Sequence, residues 1–546
     1  MKRYYCSRAL FFALIALSPL AISAAERIRF QIGIDPGLAP LPVSGRLLIF
    51  MTNQTKPLER IEPDFLNPRS VWLAGMEVHN LAPGQTVDVD PDVLAFPAPF
   101  SSAPSGDYQV MALLDINHSY TYNGMGAGDL YSAVATVRGL NAASAPPIKL
   151  SLTKEVPERK FADTDSIKLV TFESPSLTGF WGRPIIMRAG VVLPPSYAKS
   201  NTERYPTVYA IHGYGGNHTT AWRRGPGLVK QMVEESTPEM IYVYLDASFS
   251  LGHHVFADSV NNGPWGHALT TELIPYLENK FRMDGVAKGR LLNGHSSGGW
   301  STLWLQVNYA DVFGGTWSTS PDPVDFRNFT GPDLTKYPPQ NFYRGADGPP
   351  YNLIRYQGRE IVTMEDYAHL ERVEGYYGGQ MASFEAVFGP RGPDGQPQPL
   401  FDRDTGRIDP IVQKAWERYD IARLLRTNWP QLEAKLRGKL HIIVGTQDTF
   451  HLEAGVYLLR DTLTSLGAVI SSASSSVPGS LSSTNGSSGS ANDITRLSGG
   501  GYIEFIPGRD HFDLYQGGLA ERIAREMYEV ARPKARKAAP LQGRAA

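Results

Sequence analysis

Gly294-His295-Ser296-Ser297-Gly298 stands between a short apolar run and a run with helix character. It constrains the fold of this chain more than any other stretch. In G-x-S-x-G the serine occupies a sharp turn where a strand ends and a helix begins. Its hydroxyl faces outward, and the flanking glycines let neighbouring backbone pass closely. Arg290-Leu291-Leu292-Asn293 reads as the strand end, and Trp300-Ser301-Thr302-Leu303-Trp304-Leu305-Gln306-Val307 as a buried helix. Ser296 is therefore the candidate nucleophile. A pattern with three fixed positions also recurs by chance as a plain strand–helix turn, so the surrounding chain has to decide.

Upstream, Thr207-Val208-Tyr209-Ala210-Ile211 runs into His212-Gly213-Tyr214-Gly215-Gly216. A glycine loop after a strand can bring a backbone N–H to a developing oxyanion, here from Tyr214, with the N–H of Ser297 as the second donor. Downstream, the strand Leu440-His441-Ile442-Ile443-Val444 leads to Gly445-Thr446-Gln447-Asp448. The strand Tyr502-Ile503-Glu504-Phe505-Ile506 leads to Pro507-Gly508-Arg509-Asp510-His511-Phe512. Serine needs an imidazole to take its proton, and the imidazole needs a carboxylate to fix its tautomer. The order Ser296, Asp448, His511 is the chain order of α/β-hydrolases.

Residues from about 167 to 535 resemble the putative esterase family, the esterase D-like branch of the α/β-hydrolases. The resemblance rests on Tyr205-Pro206 with the glycine loop that follows, on Gly294 to Trp300, on Asp311-Val312-Phe313-Gly314-Gly315, and on Pro264-Trp265-Gly266 opening a helix. It implies an acyl-serine mechanism without metal or cofactor. It covers carboxylesterases, feruloyl and acetylxylan esterases, siderophore esterases and mycolyltransferases alike. The long segment between Gly315 and the strand before Asp448, and a second insertion between Asp448 and His511, depart from a minimal hydrolase.

Each assignment has a rival. Asp322 and Asp325, in Ser320-Pro321-Asp322-Pro323-Val324-Asp325, follow the strand after the elbow and compete with Asp448 for the acid. His212 and His295 are motif neighbours, and His295 is a candidate substrate contact. His253 and His254 are adjacent, so on an extended segment they point to opposite faces, and no H-E-x-x-H pattern accompanies them. His451 lies three residues from Asp448. Trp265 is read as a rim residue contacting substrate, and Trp300, one turn into the elbow helix, as core.

The chain has 546 residues, more than one hydrolase domain needs. Residues 1–25 read as a cleavable export signal: Lys2, Arg3 and Arg8 precede the apolar run Ala9 to Leu17, and Ala21-Ile22-Ser23-Ala24 supplies small residues for cleavage. A secreted or periplasmic location follows as an expectation. The single cysteine, Cys6, falls inside that signal, so the mature chain has neither disulfide nor thiol chemistry. Without the signal's three cations the net charge moves from −2 to −5, which argues against nucleic-acid or anionic-membrane partners. The oligomeric state is not legible.

Residues 26–165 alternate short apolar strands with Pro and Gly, including Arg27 to Ile34, Gly45 to Met51, Gly106 to Asp115 and Lys149 to Leu152. That pattern predicts an all-β sandwich. Its aromatics Trp72, Tyr120, Tyr122 and Tyr131 could stack on sugars or fill a core, and the domain could equally cover the active site. Residues 166–532 alternate strand and helix, predicting an α/β-hydrolase domain with a mostly parallel sheet. Part of 320–438 reads as a lid or insertion. Residues 471–490, with eleven serines in twenty, read as a flexible surface loop, and 533–546 as a disordered tail.

The function expected is an exported serine carboxylic ester hydrolase acting on carbohydrate, feruloyl or siderophore esters. An acyltransferase or serine peptidase on the same fold is the main alternative, and a non-catalytic binding protein the more distant one.

Overall fold

The computed structural model describes residues 27–38, 41–117, 125–142, 146–158, 160–346, 348–375, 379–474 and 492–533. The export signal, Tyr120, Tyr122, most of the serine-rich stretch and the tail from 534 lie outside them.

The N-terminal unit is all β. Its nine strands join in one hydrogen-bonded sheet, where the sequence reading expects two packed sheets. Phe30–Ile34 shows the simplest pattern: Phe30, Ile32 and Ile34 are buried and alternate with half-buried neighbours, as a strand with one face on a core must. Val43–Thr52 and Gly106–Asp115 differ, each ending in eight consecutive buried residues. One face of each, with Leu47, Ile49, Val110 and Ala112, closes the unit's own core. The opposite face, with Leu48, Phe50, Met111 and Leu113, packs against Leu370 and Val373 of the helix Met364–Glu374. That helix belongs to the insertion at 320–438, so the β unit is docked on the rest of the chain by apolar burial. Arg46, itself buried, adds a hydrogen bond to the Val373 carbonyl at 2.8 Å. Trp72 and Tyr131 pack within this unit.

The second unit holds a ten-stranded mixed sheet. Its six central strands, Ile241–Leu245, Thr207–Ile211, Arg290–His295, Gly315–Thr319, Leu440–Gly445 and Tyr502–Ile506, run parallel in that order. Two antiparallel strands flank each side, Ile167–Glu173 with Ile186–Val192, and Asp493–Leu497 with Val469–Ser474. The parallel strands follow the predicted positions. The flanking pairs were not predicted, because they connect to the sheet without the strand–helix alternation that marks the centre. The last pair also shows that residues 471–474, read from sequence as loop, end an edge strand.

Helices Thr220–Val233, Ser297–Asn308 and Glu453–Ser465 cross between strands near their predicted positions. Among the described residues the insertion contributes four α-helices and the hairpin Asn352–Tyr356 with Arg359–Thr363. Much of it is core as well as cover: Phe326, Phe329, Phe388 and Trp416 join the elbow-helix residues Trp300 and Trp304 in one cluster. Trp300 is buried and stacks on Trp304 at 5.1 Å, as read from sequence.

Candidate active site

The six parallel strands end on one rim, and the loops leaving four of them carry the predicted site. The elbow strand Arg290–His295 stops at Ser296, whose φ of 59° and ψ of −126° lie outside the helical and extended regions before the helix Ser297–Asn308 begins. A non-glycine residue there is strained, and such strain concentrates where a side chain must be aimed. A Cβ on Gly298 would lie 2.0 Å from the Ile211 carbonyl oxygen, so only glycine lets the elbow helix pack against the neighbouring strand. At Gly213 a Cβ would lie 3.0 Å from the Ser296 Cβ. The glycine loop that carries Tyr214 therefore lies against Ser296. Ser297 opens the elbow helix, where backbone N–H groups have no intrahelical partner and favour negative charge.

His511 Nδ1 and Asp448 Oδ2 are 2.9 Å apart, both side chains buried. The N–H of Phe450 donates to Asp448 Oδ1 at 2.9 Å. Burial pushes the Asp448 carboxyl up, but the His511 charge and these hydrogen bonds outweigh it and hold the group below the ordinary carboxylate range. Facing an ionised carboxylate, Nδ1 is the nitrogen that carries the proton of the neutral ring, which leaves the Nε2 lone pair free. The His511 ring lies against His295 at 4.4 Å and meets the Phe450 ring edge-on at 4.8 Å, which fixes its plane. Burial, with His511 beside it, keeps His295 neutral by pulling it well below the usual histidine range.

The rival acids have other partners. Asp325 is buried in ion pairs with Arg327 and Arg426. Asp322 lies beside Ser296: the Ser296 hydroxyl donates to its Oδ1 at 3.4 Å and the Ser297 hydroxyl to its Oδ2 at 2.6 Å. His451 pairs with Glu360. His253 is buried with Nε2 3.2 Å from the His212 carbonyl oxygen, bracing the start of the glycine loop.

Trp265 is not where the sequence reading puts it. It is 2% exposed, stacks on His254 at 3.7 Å, and donates from Nε1 to the Asn262 carbonyl at 2.9 Å. The helix it opens turns its first side chain into the core under the sheet, among Leu177, Phe256 and Leu273, and not to the rim. Trp265→Ala is therefore expected to lower stability by about 3–5 kcal/mol, as for any large buried aromatic. Chemical denaturation would read this as a lower midpoint, with equal effects on small and bulky substrates.

Sequence reasoning missed three contributors. Arg355, on the insertion hairpin, donates to the Asp448 carbonyl at 2.9 Å and pairs with Glu453 at 2.8 Å, clamping the acid loop. Gln380, opening the helix Gln380–Phe388, donates to Ser297 Oγ at 2.9 Å and Asp322 Oδ2 at 3.1 Å. Phe65, from the N-terminal unit, packs on Phe450 with ring centroids 5.6 Å apart. None carries a local signal, since each meets the site across more than fifty residues of sequence.

Ser296, His511, Asp322 and Gln380 share one cavity of about 440 Å³. Its apolar wall includes Phe65, Phe329, Tyr367, Phe384, Phe450 and Phe512. His295 also lines it, and Arg223 and Arg224 stand exposed at its edge. Such a site can hold an apolar group beside a hydroxyl nucleophile with a histidine–carboxylate pair at hand.

Residues 186–453 match the family described as "Putative esterase". No curated protein matches the chain. Among solved structures, a ferulic acid esterase is similar at 14% identity over 67% of this chain and 98% of its own, with a TM-score of 0.39. The substrate-bound fluorophosphonate-binding serine hydrolase F of Staphylococcus aureus is 15% identical over 66% and 98%, with a TM-score of 0.38. An S-formylglutathione hydrolase from Agrobacterium tumefaciens is 14% identical over 67% and 95%, with a TM-score of 0.36. Likenesses at this level assign no substrate.

Proposed function

We propose that this chain, whose residues 186–453 match the family described as "Putative esterase", is a serine carboxylic ester hydrolase, with the following mechanism and substrate class. Ser296 Oγ attacks the ester carbonyl while His511 Nε2 takes its proton. Asp448 holds the Nδ1–H and stabilises the imidazolium. The backbone N–H groups of Ser297 and Tyr214 hold the oxyanion. His511 returns the proton to the leaving alcohol, and water, activated by the same imidazole, releases the acid from the acyl-serine. The observation that carries this reading is the 2.9 Å pairing of His511 with the buried Asp448, with His511 and Ser296 lining the same cavity. Hydrolysis of p-nitrophenyl acetate, with a fluorophosphonate adduct on Ser296 located by peptide mass spectrometry, tests it. Labelling elsewhere, or no turnover, would reject it and favour a binding role.

The aromatic wall favours an ester with an aromatic or alkyl part, which fits a feruloyl group better than an acetylated sugar. Acyl transfer and peptide cleavage use the same residues, and acceptor competition separates them from hydrolysis. Export through residues 1–25 remains part of this proposal, checked by N-terminal sequencing of the mature protein.

In this reading the N-terminal unit completes the substrate wall. Phe65→Ala is expected to lower kcat/KM for a naphthyl ester about tenfold more than for the acetate, the low end of what burying a phenyl ring contributes. Equal losses on the two esters would confine Phe65 to domain docking.

A further inference from the structure

Asp322 is held in place on one side and left open on the other. Its backbone N–H donates to the Ser296 carbonyl at 3.3 Å. Its Oδ2 accepts from Ser297 Oγ at 2.6 Å and from Gln380 Nε2 at 3.1 Å. Those contacts would suffice to brace the elbow. They leave Oδ1, whose one hydrogen bond among the described residues is the 3.4 Å contact from the Ser296 hydroxyl. That is longer than an ordinary O–H···O bond, and it is lost once the hydroxyl turns to His511.

The side chain is 5% exposed and lines the cavity. Among the described residues no Lys or Arg forms an ion pair with it. Asp325, three residues on, shows the contrast, since two guanidinium groups cover its carboxylate. Burial pushes the Asp322 carboxyl up to about 6, and the Ser297 bond and the His511 charge only partly oppose this. A desolvated carboxylate oxygen in a binding cavity, able to accept more bonds than the chain provides, is stabilised by a donor on the ligand.

We infer that Asp322 Oδ1 is a specificity determinant for a hydrogen-bond donor, hydroxyl or ammonium, on the acyl carbon next to the scissile ester group or on the second carbon of its alcohol, with Gln380 and Ser297 fixing its orientation. The inference rests on the esterase reading and narrows its substrate class. The distance supports the placement: Oδ1 lies 3.4 Å from the attacking oxygen, so only a group within a bond or two of the ester reaches it.

The test uses the mature protein and matched esters: methyl mandelate against methyl phenylacetate, phenylalanine methyl ester against methyl 3-phenylpropionate, and 2-hydroxyethyl benzoate against propyl benzoate. These pairs separate an acyl-side hydroxyl, an acyl-side ammonium and an alcohol-side hydroxyl. We expect the donor-bearing member of at least one pair to be preferred about tenfold or more in kcat/KM, with Asp322→Asn reducing that ratio by about tenfold to a hundredfold. Gln380→Leu, which leaves the carboxylate but releases its Oδ2, is expected to reduce the same ratio less, mainly through KM. It also serves if Asp322→Asn does not fold. No preference in any pair by the parent protein, or a ratio unchanged in the variants, overturns the inference. If the parent protein hydrolyses none of the esters and takes up no fluorophosphonate at Ser296, the esterase reading itself has failed, a distinct result.

Discussion

Ser296→Ala and His511→Ala are each expected to lower kcat/KM for p-nitrophenyl acetate by on the order of 10⁴ to 10⁶, with a far-UV spectrum and melting temperature close to the parent's. The size follows from cooperation. A serine without its base, or a base without its serine, retains only the oxyanion contacts and binding, so one loss costs about as much as several. The double variant should therefore be no slower than either single one. Ser296 is half-buried on the turn, and both it and the buried His511 already line the site cavity, so each replacement enlarges that cavity rather than opening a sealed void in the core. More than about a tenth of parent activity in either variant, with contamination excluded by active-site titration, would remove that residue from the mechanism.

Asp448→Asn is expected to cost about 10⁴ in kcat, because an amide facing Nδ1 no longer enforces the tautomer that leaves Nε2 free. Asp322→Asn should cost far less on the same acetate. The ranking follows from geometry: Asp448 Oδ2 is 2.9 Å from His511 Nδ1, whereas Asp322 meets the hydroxyls of Ser296 and Ser297. Both carboxylates are buried, so burial alone does not separate them. The reverse ranking would move the acid to the loop after Gly315–Thr319.

The chain order of Ser296, Asp448 and His511, and the glycine loop before them, could be read without coordinates for a physical reason. In a parallel sheet each reacting group follows directly on a strand's C-terminal end, and that boundary is a local pattern: an apolar β-rich run, then Gly, then the functional residue. The helices near 220, 297 and 453 were legible for the same reason. Trp265 was not, because Pro264-Trp265-Gly266 marks a helix start but not the direction its first side chain takes. Contacts with His254 and Leu177, residues from other segments, set that direction.

The sequence by itself determined which residues are the candidates for serine-hydrolase chemistry and at which strand ends they sit. Only the tertiary structure decided which of two candidate aspartates meets the histidine, that an insertion arginine clamps the acid loop, and that Phe65 from the N-terminal unit walls the cavity. Those outcomes depend on pairing between residues far apart in the chain. The long buried runs Val43–Thr52 and Gly106–Asp115 announced two covered faces, but not that the second would be covered by the helix Met364–Glu374 of the other unit. Hydrophobic pattern reports that a face is buried; what buries it is set by packing across the whole molecule.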